Sequence, residues 1–296
     1  MSPNLSPAAA DLQRYLDIAT EAASAGGAVL QHYWGNLSNI QSKGRPGDLV
    51  TEADKAAEKE VLSVLRLHVP DHAILAEESG SIASQNDGQS DAQTDSQSDA
   101  QTNRLLWAVD PLDGTTNYTH QYPFCGCSVG LLIDGHPAVG AIFDPFHKHL
   151  FRAAKGLGAT CNRQPIHVSD SQALVDSLLV TGFAYDRRET IDNNYAEFCH
   201  LTHLTRGVRR GGAASIDLAY VACGRLDGYW ERGLSPWDLA AGVVLLEEAG
   251  GQVTAYDQSP FDIESGRILA TNGKIHAELS EVLKHVKPFE RFAPDT

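Results

Sequence analysis

The stretch Asp110-Pro-Leu-Asp113-Gly-Thr-Thr-Asn117 concentrates more chemistry than any other in the chain. An apolar run, LLWAV, delivers Asp110 to a strand end, and Pro111 is expected to force the chain out of the sheet there. Two carboxylates three residues apart then turn toward a common point, with the Leu112 carbonyl between them. Gly114 permits close backbone approach, and Thr115, Thr116 and Asn117 open a helix whose amides face the same point. Hard oxygen ligands for a divalent cation thus lie beside a helix start suited to phosphate. Three further acids occupy similar settings. Asp54 closes DLVTEAD, Glu77 ends the strand-like AILAE, and Asp238 sits in the first turn of WDLAAGVVLLEEAG. Strand ends and helix starts are where open mixed sheets place ligand sites. Several carboxylates crowd together only with counter-ions, because their repulsion raises pKa values and destabilises the fold. Mg²⁺ or Mn²⁺ meets that need, and no His or Cys cluster competes for a softer metal. Two cations about 3.5–4 Å apart form the usual clamp for in-line phosphoryl displacement by water.

The elements that must position these acids are legible as periodic segments. Apolar residues from Asp11 to Trp34 fall on a helical stripe, and a second helix runs from about Asp54 to Leu67. Cys127–Asp134, Ala138–Phe143 and His149–Ala153 read as consecutive antiparallel strands joined by DGHP and DPFHK turns. Helices return at Asn193–Thr205, Ser215–Cys223, Trp237–Ala249 and Ile275–Val286, with strands at Ser177–Thr181 and Ile268–Ala270 between them. This is a mixed α+β or α/β chain of layered elements around one cleft. Residues 81–103 stand apart as an imperfect acidic repeat, QSDAQTDS then QSDAQTNR, and read as a flexible loop.

Composition narrows the function further. The 296 residues carry 23 basic and 38 acidic side chains, a net charge of −15 that argues against a general nucleic-acid binder. With 42% hydrophobic residues the chain can bury a large core without disulfide staples. The five cysteines lack the paired spacing of a zinc site, and Cys125 and Cys127 are expected on one face of a strand as buried thiols. The start, MSPNLSPAAA, has no basic or apolar signal region, and no run approaches the roughly 18 apolar residues of a membrane helix. A cytoplasmic protein is expected. His147-Lys148-His149 and KGLGA (155–159) are read as turns, and Glu247 and Glu248 as solvent-facing or locally paired. Arg206, Arg209 and Arg210 form a basic cluster that either steers an anion or is simply exposed.

DLVTEAD (48–54), EES (77–79), WAVDPLDGTTNY (107–118), RRGGAASIDLAYVACGRLDGYWE (209–231) and PWDLAAGVVLLEEAGG (236–251) occur in order. On these motifs the chain resembles the inositol monophosphatases, part of a Mg²⁺-dependent, lithium-sensitive sugar phosphatase superfamily. The resemblance implies the layered αβαβα sandwich of the inositol monophosphatase and fructose-1,6-bisphosphatase type. It implies an N-terminal α+β subdomain over 8–170 carrying most ligands, and a C-terminal α/β subdomain over 171–296 completing the cleft. Glu77, Asp110 and the Leu112 carbonyl would hold one Mg²⁺, and Asp110, Asp113 and Asp238 a second. Glu77 would share a weaker third, near Lys43. Asp54 and Thr115 would orient the attacking water, and the amides of Gly114 and Thr115 would cradle phosphate. Glu231 and the Ala214 backbone would meet sugar hydroxyls. The implied reaction is hydrolysis of a small polyol phosphate, inositol monophosphate, by a homodimer with no membrane or direct nucleic-acid partner. Histidinol phosphate and fructose bisphosphate are the rival substrates, and a regulatory or scaffolding role is the rival from another class.

Overall fold

The computed structural model describes residues 9–45, 47–83 and 105–289. The acidic repeat read as a flexible loop lies almost wholly outside these residues. Its first two positions do not belong to a loop: Ser81 and Ile82 pair with Leu75 and Ile74 across a short hairpin. Helix α1 spans Ala9–Tyr33, followed by the hairpin of β1 (Ile40–Ser42) and β2 (Leu49–Thr51) and by α2 (Glu52–His68). An eight-stranded sheet is built from β3 (Ala73–Ala76), β4 (Gly80–Ile82), β5 (Leu105–Asp113), β6 (Gly126–Ile133), β7 (His136–Asp144), β8 (His149–Ala154), β9 (Gly158–Cys161) and β10 (Gln164–Pro165). The short helix α3, Thr115–Thr119, leaves the end of β5. A five-stranded sheet follows, from β11 (Leu178–Thr181), β12 (Gly207–Arg210), β13 (Gly228–Arg232), β14 (Gln252–Thr254) and β15 (Arg267–Thr271). Its helices are α4 (Tyr195–Leu204), α5 (Ala214–Ala222), α6 (Pro236–Glu248) and α7 (His276–His285).

The larger sheet has the order β10-β9-β8-β7-β6-β5-β3-β4 and the smaller β12-β11-β13-β15-β14. Three apolar interfaces stack these elements into five layers. Leu30, Leu65, Ile74 and Trp107 fill the space between α1, α2 and the larger sheet. Phe151, Leu218, Val244 and Ile268 pack where α5 and α6 lie between the two sheets. Leu201, Trp230, Leu269 and Leu279 close the outer face of the smaller sheet under α4 and α7. Because helices cover both faces of the larger sheet, β6 is buried at every position, which explains its continuous apolar run. Small residues set the layer spacing. A Cβ at Gly27 of α1 would overlap the Phe143 ring of β7, so the helix rests directly on the sheet.

Pro111 does not end the strand as expected. Asp110 opposes Ser128 and Asp113 opposes Gly126, so three residues of β5 span two of β6 and pairing then resumes. That extra residue is a β-bulge, the one place inside a sheet where a missing N–H is tolerated. The bulge lets both acids of the DPLD stretch reach one cleft.

Candidate active site

Five segments deliver acids to a cleft of about 1320 Å³, space open to solvent included: those of Asp48, Glu77, Asp110 with Asp113, Glu231 and Asp238. Glu77 follows β3, and its amide donates to the Val109 carbonyl (3.1 Å), holding it beside the β5 bulge that carries Asp110 and Asp113. Asp54 and Asp238 share a local device. Each is the third residue of a helix and reaches back to its cap. Asp54 Oδ2 accepts from the Thr51 amide at 2.8 Å, and Asp238 Oδ2 accepts from the Ser235 amide at 2.7 Å. A T/S-x-x-D pattern therefore both starts the helix and fixes the carboxylate, leaving its second oxygen for other work.

Of the residues singled out in the sequence, Lys43, Glu77, Asp110, Leu112, Asp113, Gly114, Thr115, Ala214, Glu231 and Asp238 all line the cleft. Asp54 does not; it is fully buried one layer behind, with Oδ1 3.1 Å from the Thr115 hydroxyl. That hydroxyl is also 3.1 Å from the Leu112 carbonyl oxygen. Gly114 adopts φ +91°, a left-handed turn that lets α3 begin directly behind the bulge. Ala214, whose backbone is expected to meet sugar hydroxyls, lines the cleft, and its amide donates to Asp113 Oδ1 (3.2 Å). The Ser215 amide and hydroxyl donate to Asp113 Oδ2, at 2.7 and 2.5 Å. Of the three clustered arginines only Arg210 lines the cleft; Arg206 pairs with Asp176 at 2.7 Å. Glu248 neither faces solvent alone nor pairs locally, because it accepts from the amides of Gly156 and Gly158 in the KGLGA turn, each at 2.8 Å.

Sequence reasoning missed Ser215 and the loop residues Phe183, Tyr185 and Arg187, which form the opposite rim. The signal for that rim was available: GFAYDRR follows the end of β11, a strand-end position like those of the acids.

The electrostatics are those of uncompensated negative charge. Burial pushes Asp54 up to about 6, against the hydrogen bonds from Thr51. Burial likewise raises Asp113 to about 6 despite the Ser215 donors, and Glu231 to about 7 despite the Tyr229 hydroxyl. Asp110 and Asp238 stand well above the carboxylate range, through burial and then through the charges of neighbouring acids. Glu77 is raised by burial and partly relieved by Lys43, whose ammonium lies 2.8 Å from Glu77 and 2.6 Å from Glu78. Among the described residues, no three of the acidic, His or Cys side chains already enclose a single point. The donor set nonetheless fits a hard divalent cation: carboxylates and one carbonyl, with no His or Cys on the cleft wall. Added positive charge would relieve the strain that burial and mutual repulsion impose on these acids.

The layered αβαβα fold places an oxygen-donor cleft at its strand ends, suited to a divalent cation and a phosphate ester. The family model for the inositol monophosphatase family matches residues 11–287, and the chain belongs to that family. An inositol-1-monophosphatase from Synechocystis sp. is 59% identical over 95% of this chain and 92% of its own. The Nus factor SuhB of Pseudomonas aeruginosa is 38% identical, over 94% of this chain and 98% of its own. The solved structure of an inositol monophosphatase from Anabaena (Nostoc) sp. PCC 7120 superposes with a TM-score of 0.81 at 60% identity, covering 94% of this chain and 98% of that one.

Proposed function

We propose that this chain is a Mg²⁺-dependent phosphomonoesterase that hydrolyses myo-inositol monophosphate to inositol and phosphate. The observation that carries the reading is the convergence of Glu77, Asp110, Asp113 and Asp238, from three separate segments, on one cleft. The inositol-1-monophosphatase relative at 59% identity supports the choice of substrate. In this reading Glu77, Asp110 and the Leu112 carbonyl hold one ion, and Asp110, Asp113 and Asp238 hold a second. Glu77 shares a weaker third that competes with the Lys43 ammonium for its carboxylate. Mg²⁺, or Mn²⁺ in its place, supplies Lewis-acid stabilisation of charge on the phosphoryl and leaving oxygens.

The protein's own groups bind, orient and move the proton. Thr115 is the hydroxyl that meets the attacking water. Asp54 acts through it as a positioning residue, receiving at Oδ1 the proton that Thr115 relays. A carboxyl poised near 6 is ionised at neutral pH yet basic enough for that task. The amides of Gly114 and Thr115, at the start of α3, hold the phosphate, and Glu231 meets polyol hydroxyls at the far wall. The Ala214 amide, which donates to Asp113, also orients a metal ligand. Two subdomains meet near residue 170, between the last strand of the larger sheet at Pro165 and the first of the smaller at Leu178. Family membership supports a homodimer, cytoplasmic residence and inhibition by lithium; no helix among the described residues is long and apolar enough to cross a membrane.

Phosphate release from inositol 1-phosphate, histidinol phosphate and fructose 1,6-bisphosphate, each with and without Mg²⁺, tests the reading. Turnover is expected with Mg²⁺ and fastest on the inositol ester. Preference for histidinol phosphate, or no turnover of any of the three, would overturn it.

A further inference from the structure

Behind the polyol wall lies an acid that the mechanism above does not use. Asp217, in the first turns of α5, is 1% exposed, and neither carboxyl oxygen finds a hydrogen-bond partner of good geometry among the described residues. A buried, unpartnered carboxyl is costly, and such groups persist where something else depends on them. Two consecutive glycines show what that is. A Cβ at Gly211 would overlap the Asp217 carboxyl, so the acid packs directly against that backbone. A Cβ at Gly212, where φ is +87°, would overlap the Arg210 guanidinium. The turn is thus clamped between a buried acid on one side and an arginine at the cleft mouth on the other. Gly211 also offers its carbonyl to Asn117 Nδ2 (3.0 Å), which ties the turn to α3. Arg210, Gly212 and Ala213 form part of the cleft wall near Glu231.

We propose that Asp217 is a positioning residue whose buried carboxyl seats the Gly211–Gly212 turn and thereby sets the polyol-binding wall formed by Arg210, Gly212 and Ala213. The inference rests on the inositol phosphate reading, since it assigns this wall to the polyol end of that substrate. The surroundings of the Asp217 carboxyl disfavour its charged form. Burial, and then the Glu231 and Asp113 charges, push it well above the usual range, against Arg210 and the Gly212 amide. A neutral amide of the same shape can therefore stand in for it. Removal of the group leaves a gap under the turn.

Steady-state kinetics on inositol 1-phosphate and on p-nitrophenyl phosphate, which lacks polyol hydroxyls, separate wall from chemistry. Asp217→Ala is expected to raise KM for inositol 1-phosphate about tenfold while kcat and KM for the aryl ester stay within about twofold. Asp217→Asn is expected to restore KM to within about threefold of the parent enzyme. Gly211→Ala, which drives a methyl group into the same carboxyl, is expected to reproduce the substrate-selective rise if Asp217→Ala fails to fold. Equal losses on both esters, an unchanged KM, or an Asn variant as impaired as the Ala variant would overturn the proposal. A parent enzyme inactive on inositol 1-phosphate but active on the aryl ester would instead refute the substrate reading.

Discussion

Replacing Asp113 with Asn is expected to abolish turnover while making the metal-free protein more stable at pH 8. Asp113 is 7% exposed, and burial raises its carboxyl from 3.8 to about 6. Ionising it in the native state at pH 8 therefore costs about 3 kcal/mol relative to the unfolded chain. Because the folded value is the higher one, this group's contribution to stability is intact below about pH 4 and is lost as pH rises through about 6. Asn carries no charge to bury, and its oxygen can still accept from the Ser215 amide and hydroxyl. Its amide nitrogen would face the Ala214 N–H, forfeiting one hydrogen bond worth about 1 kcal/mol. The balance is a gain of about 2 kcal/mol at pH 8 and a loss of about 1 kcal/mol at pH 4, with a crossing between. At about 2–4 °C per kcal/mol for a chain this size, the variant should melt about 4–8 °C above the parent in chelator at pH 8. Saturating Mg²⁺ should then stabilise the parent, by about 2.7 kcal/mol for one ion at a hundred times its dissociation constant, and stabilise the variant less, because Asp113 is assigned to only one of the ions. Thermal melts of both proteins across pH 4–8, with chelator or Mg²⁺, read all three quantities. A variant that melts below the parent at pH 8 in chelator, or whose Mg²⁺ response equals the parent's, would refute the reasoning.

Other outcomes follow from the same geometry. Asp54→Asn should lower kcat by about 10²–10⁴ with KM little changed, since Asp54 touches Thr115 rather than the cleft; initial rates under saturating substrate check this. The parent's kcat should rise with pH as Asp54 loses its proton, at or below the value of about 6 that burial gives it before cations bind, and a profile flat from pH 4 to 8 would remove Asp54 from the chemistry. Gly27→Ala gains about 1 kcal/mol of helix propensity but drives a methyl group into Phe143, an overpacking cost of about 1–3 kcal/mol. The clash should win, and a melting temperature at or above that of the parent would show that α1 can lift from the sheet. Trp107→Ala, which empties a fully buried site and leaves His72 Nδ1 without its indole donor, should cost about 3–5 kcal/mol in denaturant unfolding.

Much of this site is legible in the sequence because local rules and function coincide there. TEAD and SPWD are helix starts before they are anything else, and the acid that completes each cap is also the acid presented to the site. The helices and strands follow for the same reason: their apolar periods match the layers they bury. What escaped is of two kinds. Pro111 reads locally as a strand terminator, but the partner strand accommodates one extra residue, and only pairing with Gly126 and Ser128 reveals the bulge. Ser215, the Ala214 amide and the Asp217–Gly211 contact depend on chain segments meeting through α5. An Asp113 held by residues about a hundred positions later has no signature in either stretch alone. Glu248 is a similar case, tied to a turn ninety residues earlier that periodicity marks only as a surface position.

The central claim is that this acid-lined cleft becomes a phosphate-hydrolysing site when divalent cations occupy it. Counting Mg²⁺ bound per chain by calorimetry in the presence of phosphate, while following inositol 1-phosphate turnover in the same preparation, tests it most directly. Two or three ions per chain are expected, with turnover rising in step with occupancy and absent in chelator. Turnover that persists in chelator, or Mg²⁺ that binds without any gain in turnover, would contradict the account.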